Sequence, residues 1–158
     1  MNSLLLSIMQ SKQSVKASIS PRVDYLFVYG TLKRCFNHPM HHLLTRYARY
    51  TGLAHIQANL YEIAGYPAAI PSNNKEEQVE GELYRIGSID QKLLFAQLDA
   101  YEECSDAFPK PHEYVRSIVV VKDENNCETA AWSYLYNHSI EGRKKINSGR
   151  YLPQNTNL

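Results

Sequence analysis

Nowhere in the 158-residue sequence do apolar residues run together for the roughly 20 positions that a membrane-spanning helix needs. No membrane partner is expected, and a soluble protein is. Charge of one sign is not in excess either: 17 basic and 16 acidic side chains nearly cancel, and no stretch has the basic footprint of a nucleic-acid binder. Cysteine is sparse. Cys35, Cys104 and Cys127 are an odd number without metal-ligand spacing, which predicts free thiols in a reducing, cytoplasmic setting and not a disulfide framework. The start, MNSLLLSIM, has no basic residue ahead of its short apolar piece Leu4–Leu6, whereas a secretory leader needs roughly 7–15 apolar residues behind a basic start. The glycines and Lys-Ser/Thr of a phosphate loop are missing, and there is no internal repeat.

What is present fits one domain with a single core. Residues 1–22, rich in Ser, Lys and Gln beyond the first few, read as an arm, residues 23–150 as the domain and 151–158 as a tail. Tyr25–Tyr29 is a short aromatic and β-branched run that ends at Gly30, the pattern of a central strand with a turn at its carboxyl end. After Pro39, the spacing of Met40, Leu43, Leu44 and Tyr47 predicts a short helix. From Ala48 to Leu60 small or apolar residues alternate with polar ones, predicting a long strand with Gly52 as its bend.

GYPAAIPS reads as an extended or turning passage, SNNKEE as a loop and Val79–Ile86 as a strand. Ser88 and Gln91 have capping-box spacing and predict a helix from about Ile89 toward Glu103, with Leu94, Leu98 and Tyr101 as its stripe and Ile89 and Leu93 beside it. Tyr114–Lys122 and Thr129–Asn137 flank the turn DENNC as a hairpin, with Ala130, Trp132, Tyr134 and Tyr136 on one face. The tail from Ile140 shows no strong period. The pattern alone is α+β, with a mostly antiparallel or mixed sheet able to curl into a small barrel.

Two features carry chemistry. A strand that ends in Tyr29-Gly30-Thr31-Leu32 permits close approach to its backbone, and amides left without ladder partners there form a nest for a carboxylate or oxyanion. The same residues also suit an ordinary turn. In LDAYEEC, Glu102 falls at the margin of the buried helical stripe, in the last turn, with Asp99 three residues earlier on the same side. Desolvation, helix dipole and like charge would all raise its pKa toward the range of a general base. A surface carboxylate at a frayed helix end fits the position equally. His38, His41 and His42 lack the spacing and companions of a metal set, so no metal is expected. Cys104 lies at a helix carboxyl end, which raises a thiol pKa, and is discounted as a nucleophile.

In this order, FVYGTLKRCFNHPMHHLL, TGLAHIQANLYEIAGYPAAIP, VEGELYRI, LDAYEEC, EYVRSIVVV and AWSYLYN resemble the gamma-glutamylcyclotransferase-like superfamily, which includes the AIG2-like proteins and gamma-glutamylamine cyclotransferase. The resemblance implies a small mixed β-barrel with flanking helices. It also implies a cofactor-independent cyclisation of a small-molecule γ-glutamyl substrate to 5-oxoproline. By motif, Tyr29, Gly30, Thr31 and Leu32 would hold the substrate carboxylate, Glu102 and not Glu103 would be the acid, and Tyr114 would line the cavity, with Arg116 structural. Cys35 and Glu103 stand where the family usually has glycine. Two other readings stand beside the enzyme: a small-molecule binding module on the same barrel, and a protein-interaction domain using exposed tyrosines. Oligomeric state is not assigned.

Overall fold

Tyr25–Val28 (β1) is apolar at every position because both of its faces are covered. Phe27 points into a core with Ala54, Ile56, Leu60, Val79, Leu83, Val121, Ala131 and Leu135, while Leu26 and Val28 pack outward beneath two helices. The computed structural model describes residues 22–154 of the chain. All but Arg22 of the expected arm, and residues 155–158 of the expected tail, lie outside those residues.

After β1 come a 3-10 turn at Arg34–Phe36, α1 (Pro39–Tyr47), β2 (Ala48–Ile63), β3 (Tyr66–Pro71), β4 (Gln78–Ile86), α2 (Gln91–Tyr101), β5 (Tyr114–Asp123), β6 (Glu128–Tyr136) and β7 (Lys144–Lys145). Hydrogen-bonded neighbours run β2-β4-β1-β6-β5, and β5 returns to β2 through Ala54–Ile56 against Val121–Asp123, which closes a five-stranded barrel. All of these pairings are antiparallel except β1 with β6, so the barrel is mixed, as the resemblance implied. The far half of β2 also pairs with β3 and β7.

The long strand β2 bends where expected. Its register against β4 shifts between Tyr50 and Gly52, leaving Thr51 as the extra residue of a bulge that turns the strand around the barrel. Within the passage GYPAAIPS, Tyr66–Pro71 is a strand whose adjacent Ala68 and Ala69 are both fully buried, in separate clusters on its two faces.

Two local expectations are corrected. The capping box does not form: α2 starts at Gln91 behind Asp90, which makes no side-chain cap, and the Gln91 amide instead donates to Val23 O (2.8 Å) and Asp24 Oδ1 (3.0 Å), tying the helix to the entry of β1. The buried face of α2 is Leu94, Phe95 and Leu98, whereas Ile89 (87% exposed) and Leu93 (57%) lie away from the barrel. The helix therefore rests on a narrower stripe than its apolar content suggests. On β6 the unbroken register keeps Ala130, Trp132, Tyr134 and Tyr136 on one face, as expected; Trp132 and Tyr134 pack under α2, Ala130 is exposed and Tyr136 joins a cluster with Ile63 and Ala68.

Candidate active site

Where β1 ends, the chain leaves the sheet and turns, with the Lys33 amide donating to Gly30 O (3.0 Å). Among the described residues, the amides of Gly30, Thr31 and Leu32 find no hydrogen-bond partner. Gly30 is required here for space: a Cβ at this position would stand 2.7 Å from Pro67 Cγ, inside contact distance of a ring that cannot bend aside. The rest of the turn is tied down. Tyr29 is buried, and its hydroxyl donates to Tyr134 O (2.6 Å) while accepting from Ala69 N (3.2 Å). Thr31 Oγ1 lies 3.2 Å from Tyr101 Oη. The buried His41 ring donates from Nδ1 to Leu32 O (2.8 Å), and His38 Nδ1 accepts from Met40 N at the start of α1. Two of the three clustered histidines are thus accounted for by loop and helix anchoring.

Facing this turn is the carboxyl end of α2. The Cys104 amide reaches Asp99 O (2.9 Å) and the Glu103 amide reaches Ala100 O (3.2 Å), a Schellman closure that places Glu103 at φ +54°. Glycine is the residue best suited to that backbone, so Glu103 holds it at some conformational cost. The closure leaves Glu102 half-buried on the wall of a cavity of about 270 Å³. Burial pushes its carboxyl up to about 7. The like charge expected from Asp99 is not among the causes. Asp99 is turned away, bonded by Arg116 Nε (3.0 Å), Arg116 Nη2 (3.2 Å) and Tyr134 Oη (2.7 Å). Arg116 itself stacks on Phe95 and Trp132, a structural position. The Cys104 thiol is pushed up to about 11 by burial and by Asp99, far from a nucleophile's range.

All six residues singled out in the sequence, Tyr29, Gly30, Thr31, Leu32, Glu102 and Tyr114, line this one cavity. Tyr114 donates its hydroxyl to Pro67 O (2.8 Å), so it holds the ring that abuts Gly30. Sequence reasoning missed Tyr66, Pro67 and Glu113, which also line it. Only the pairing of β3 with β2 brings the first two there, and no local signal marks them. No Lys, Arg or His is among the lining residues, so an anionic group inside meets its positive partners in the backbone amides. Among the described residues, no group of three His, Cys, Asp or Glu side chains has an arrangement able to hold a metal ion.

The sequence pattern described as Gamma-glutamyl cyclotransferase, AIG2-like matches residues 26–153. The gamma-glutamylcyclotransferase family protein YtfP of Escherichia coli strain K12 is 29% identical over 127 residues, covering 80% of this chain and 95% of that protein. Among solved structures, the fold is similar to that of YtfP from Escherichia coli, with TM-score 0.54 and 29% identity over 82% of this chain and 97% of that one. It is also similar to YkqA from Bacillus subtilis, with TM-score 0.59 and 25% identity over 82% of this chain but only 40% of that one. For an AIG2-like protein from Mus musculus the TM-score is 0.58 at 21% identity, over 85% of this chain and 99% of that one, a likeness of fold alone. The match runs through every strand of the barrel and both walls of the cavity, and the chain belongs to the gamma-glutamyl cyclotransferase, AIG2-like family.

Proposed function

We propose that this protein is a gamma-glutamylcyclotransferase-type enzyme that closes a γ-glutamyl amine or peptide to 5-oxoproline and releases the amine. The observation that carries the reading is a desolvated, unpaired Glu102 lining the same small cavity as three backbone amides without partners. In this reading the amides of Gly30, Thr31 and Leu32 hold the substrate's α-carboxylate. Pro67 and Tyr114 shape the opposite wall, so that the glutamyl chain folds back on itself.

The α-amine nitrogen attacks its own γ-carbonyl carbon. One C–N bond forms, closing the five-membered lactam, and the C–N bond to the leaving amine breaks. Glu102 takes a proton from the attacking nitrogen and returns it to the departing one, and no water is consumed. Because both reacting groups belong to one molecule, holding the folded conformer supplies much of the acceleration. A carboxylate near pKa 7 is matched to this shuttle, being a base at neutral pH that still yields an appreciable acid. The balance calls for no metal or nucleotide. A cytoplasmic setting accords with the three free thiols.

The deciding experiment is incubation of the folded protein with γ-glutamyl-amino acids, glutathione and γ-glutamyl-ε-lysine, followed by assay of 5-oxoproline. Product from at least one is expected. A folded protein that yields none from any of them would leave a small-molecule binding module as the better reading.

A further inference from the structure

Glu82 is a buried carboxylate, 6% exposed, that the proposed reaction does not use. It lies on β4 directly opposite Val28, the last residue of β1 before the Gly30 turn. Its side chain reaches past the turn to the far end. Oε2 accepts from the Arg34 amide (3.2 Å) and from Tyr84 Oη (2.7 Å), and Oε1 accepts from Arg34 Nε (3.3 Å). The Arg34 guanidinium is in turn seated 3.6 Å over the Tyr50 ring. One residue therefore holds both feet of the loop: its backbone stands in the ladder against Val28, and its carboxylate grips residue 34. Between those feet lie only residues 29–33, which carry the three free amides.

We infer that Glu82 is a positioning residue, which through Arg34 sets the direction in which the Gly30–Leu32 amides point; the inference rests on the cyclotransferase reading of this cavity. The ion pair is a poor source of stability, because the Arg34 side chain is half-exposed and solvent-screened while the Glu82 carboxylate is desolvated. A carboxylate at this spot is better explained by geometry. It accepts from a backbone amide that an apolar side chain would leave without a partner, and so fixes the exit of the turn. Glu82 is not among the cavity-lining residues, so its effect on substrate passes through the loop.

The test compares wild type with Glu82→Gln and with Arg34→Met. The second change is at a half-exposed side chain and keeps an apolar stem over Tyr50, so the variant folds even if the first does not. Steady-state kinetics on whichever γ-glutamyl substrate the wild type cyclises are measured together with 5-oxoproline binding by isothermal titration calorimetry. For Glu82→Gln, KM and the 5-oxoproline Kd should rise about tenfold while kcat stays within about twofold, the pattern of lost ground-state binding. The acid limb of the pH profile, set by Glu102 on the other wall, should not move. Arg34→Met should shift the same two constants by about threefold, since the backbone bond to Glu82 survives. Unchanged KM and Kd in both variants, even with a lowered melting temperature, would make the pair purely structural and overturn the inference while leaving the cyclotransferase reading intact. A folded wild type that neither forms nor binds 5-oxoproline would overturn both.

Discussion

Asp99 and Glu102 stand three residues apart at the end of α2, and the protein treats them in opposite ways. Asp99 has an arginine fork on both oxygens and a tyrosine hydroxyl on one of them. Glu102 has the cavity, and burial with no offsetting partner raises its pKa to about 7. Asp99 closes the gap between α2 and the β5–β6 hairpin, stabilising the fold by joining elements. Glu102 is a destabilising residue at neutral pH, held in place by the Schellman closure behind it. Two acids in one turn are thus left in different states, one paired and one bare, and under the proposed function the bare one is the group assigned to the chemistry.

The largest expected effect is on turnover. Glu102→Gln should lower the rate of 5-oxoproline formation by ~10²–10⁴-fold while circular dichroism is unchanged. In the wild type, kcat/KM should rise with pH to an inflection near 7 as the carboxyl loses its proton. Near-normal turnover in the Gln variant would erase the contrast drawn above.

Next in size, Asp99→Ala should destabilise the protein by ~2–3 kcal/mol in urea unfolding, since it strands the partly buried Arg116 guanidinium and the Tyr134 hydroxyl. A loss under half that would mean that the fork is not what docks α2.

The two acids should also differ in how stability follows pH. The folded-state pKa of Glu102, about 7, lies above its ordinary 4.5, so its favourable contribution is full below pH 4.5 and is lost as pH rises through 7. Glu102→Gln should therefore match the wild type near pH 4 and exceed it by ~1–3 kcal/mol at pH 8, read from paired denaturation curves. Equal stability at both pH values would place the carboxyl in bulk water.

The smallest effect concerns the residue behind the acid. Glu103→Gly relieves a left-handed φ of +54° and should stabilise the fold by ~0.5–1 kcal/mol, detectable as a rise in melting temperature. A fall would show that the Glu103 side chain, which also lines the cavity, makes contacts of its own.

Much of this was legible in advance because it depends on short-range periodicity. The alternation from Ala48 to Leu60, the bend at Gly52 and the β5–β6 hairpin emerge as expected, whereas the mixed barrel was implied by the family resemblance and not by periodicity. The capping box failed for a physical reason: Gln91 found stronger partners at Val23 and Asp24, 68 and 67 residues away in sequence, than at a neighbouring amide. The expected repulsion between Asp99 and Glu102 failed likewise. Arg116, 17 residues beyond Asp99, neutralises it, and no spacing rule within α2 contains that information.

By itself the sequence determined which residues alternate between core and solvent, where the chain must turn, and that a glycine-ended strand and a lone acid were the candidates for chemistry. These follow from the period of strand and helix and from the few residues that tolerate a tight turn. Only the tertiary structure decided that Pro67 fills the space beside Gly30, that Asp99 is neutralised while Glu102 is left bare, and that both walls face one cavity. Each of those depends on pairings between distant strands, and barrel closure through β1–β6 and β2–β5 brings together groups that no local preference relates.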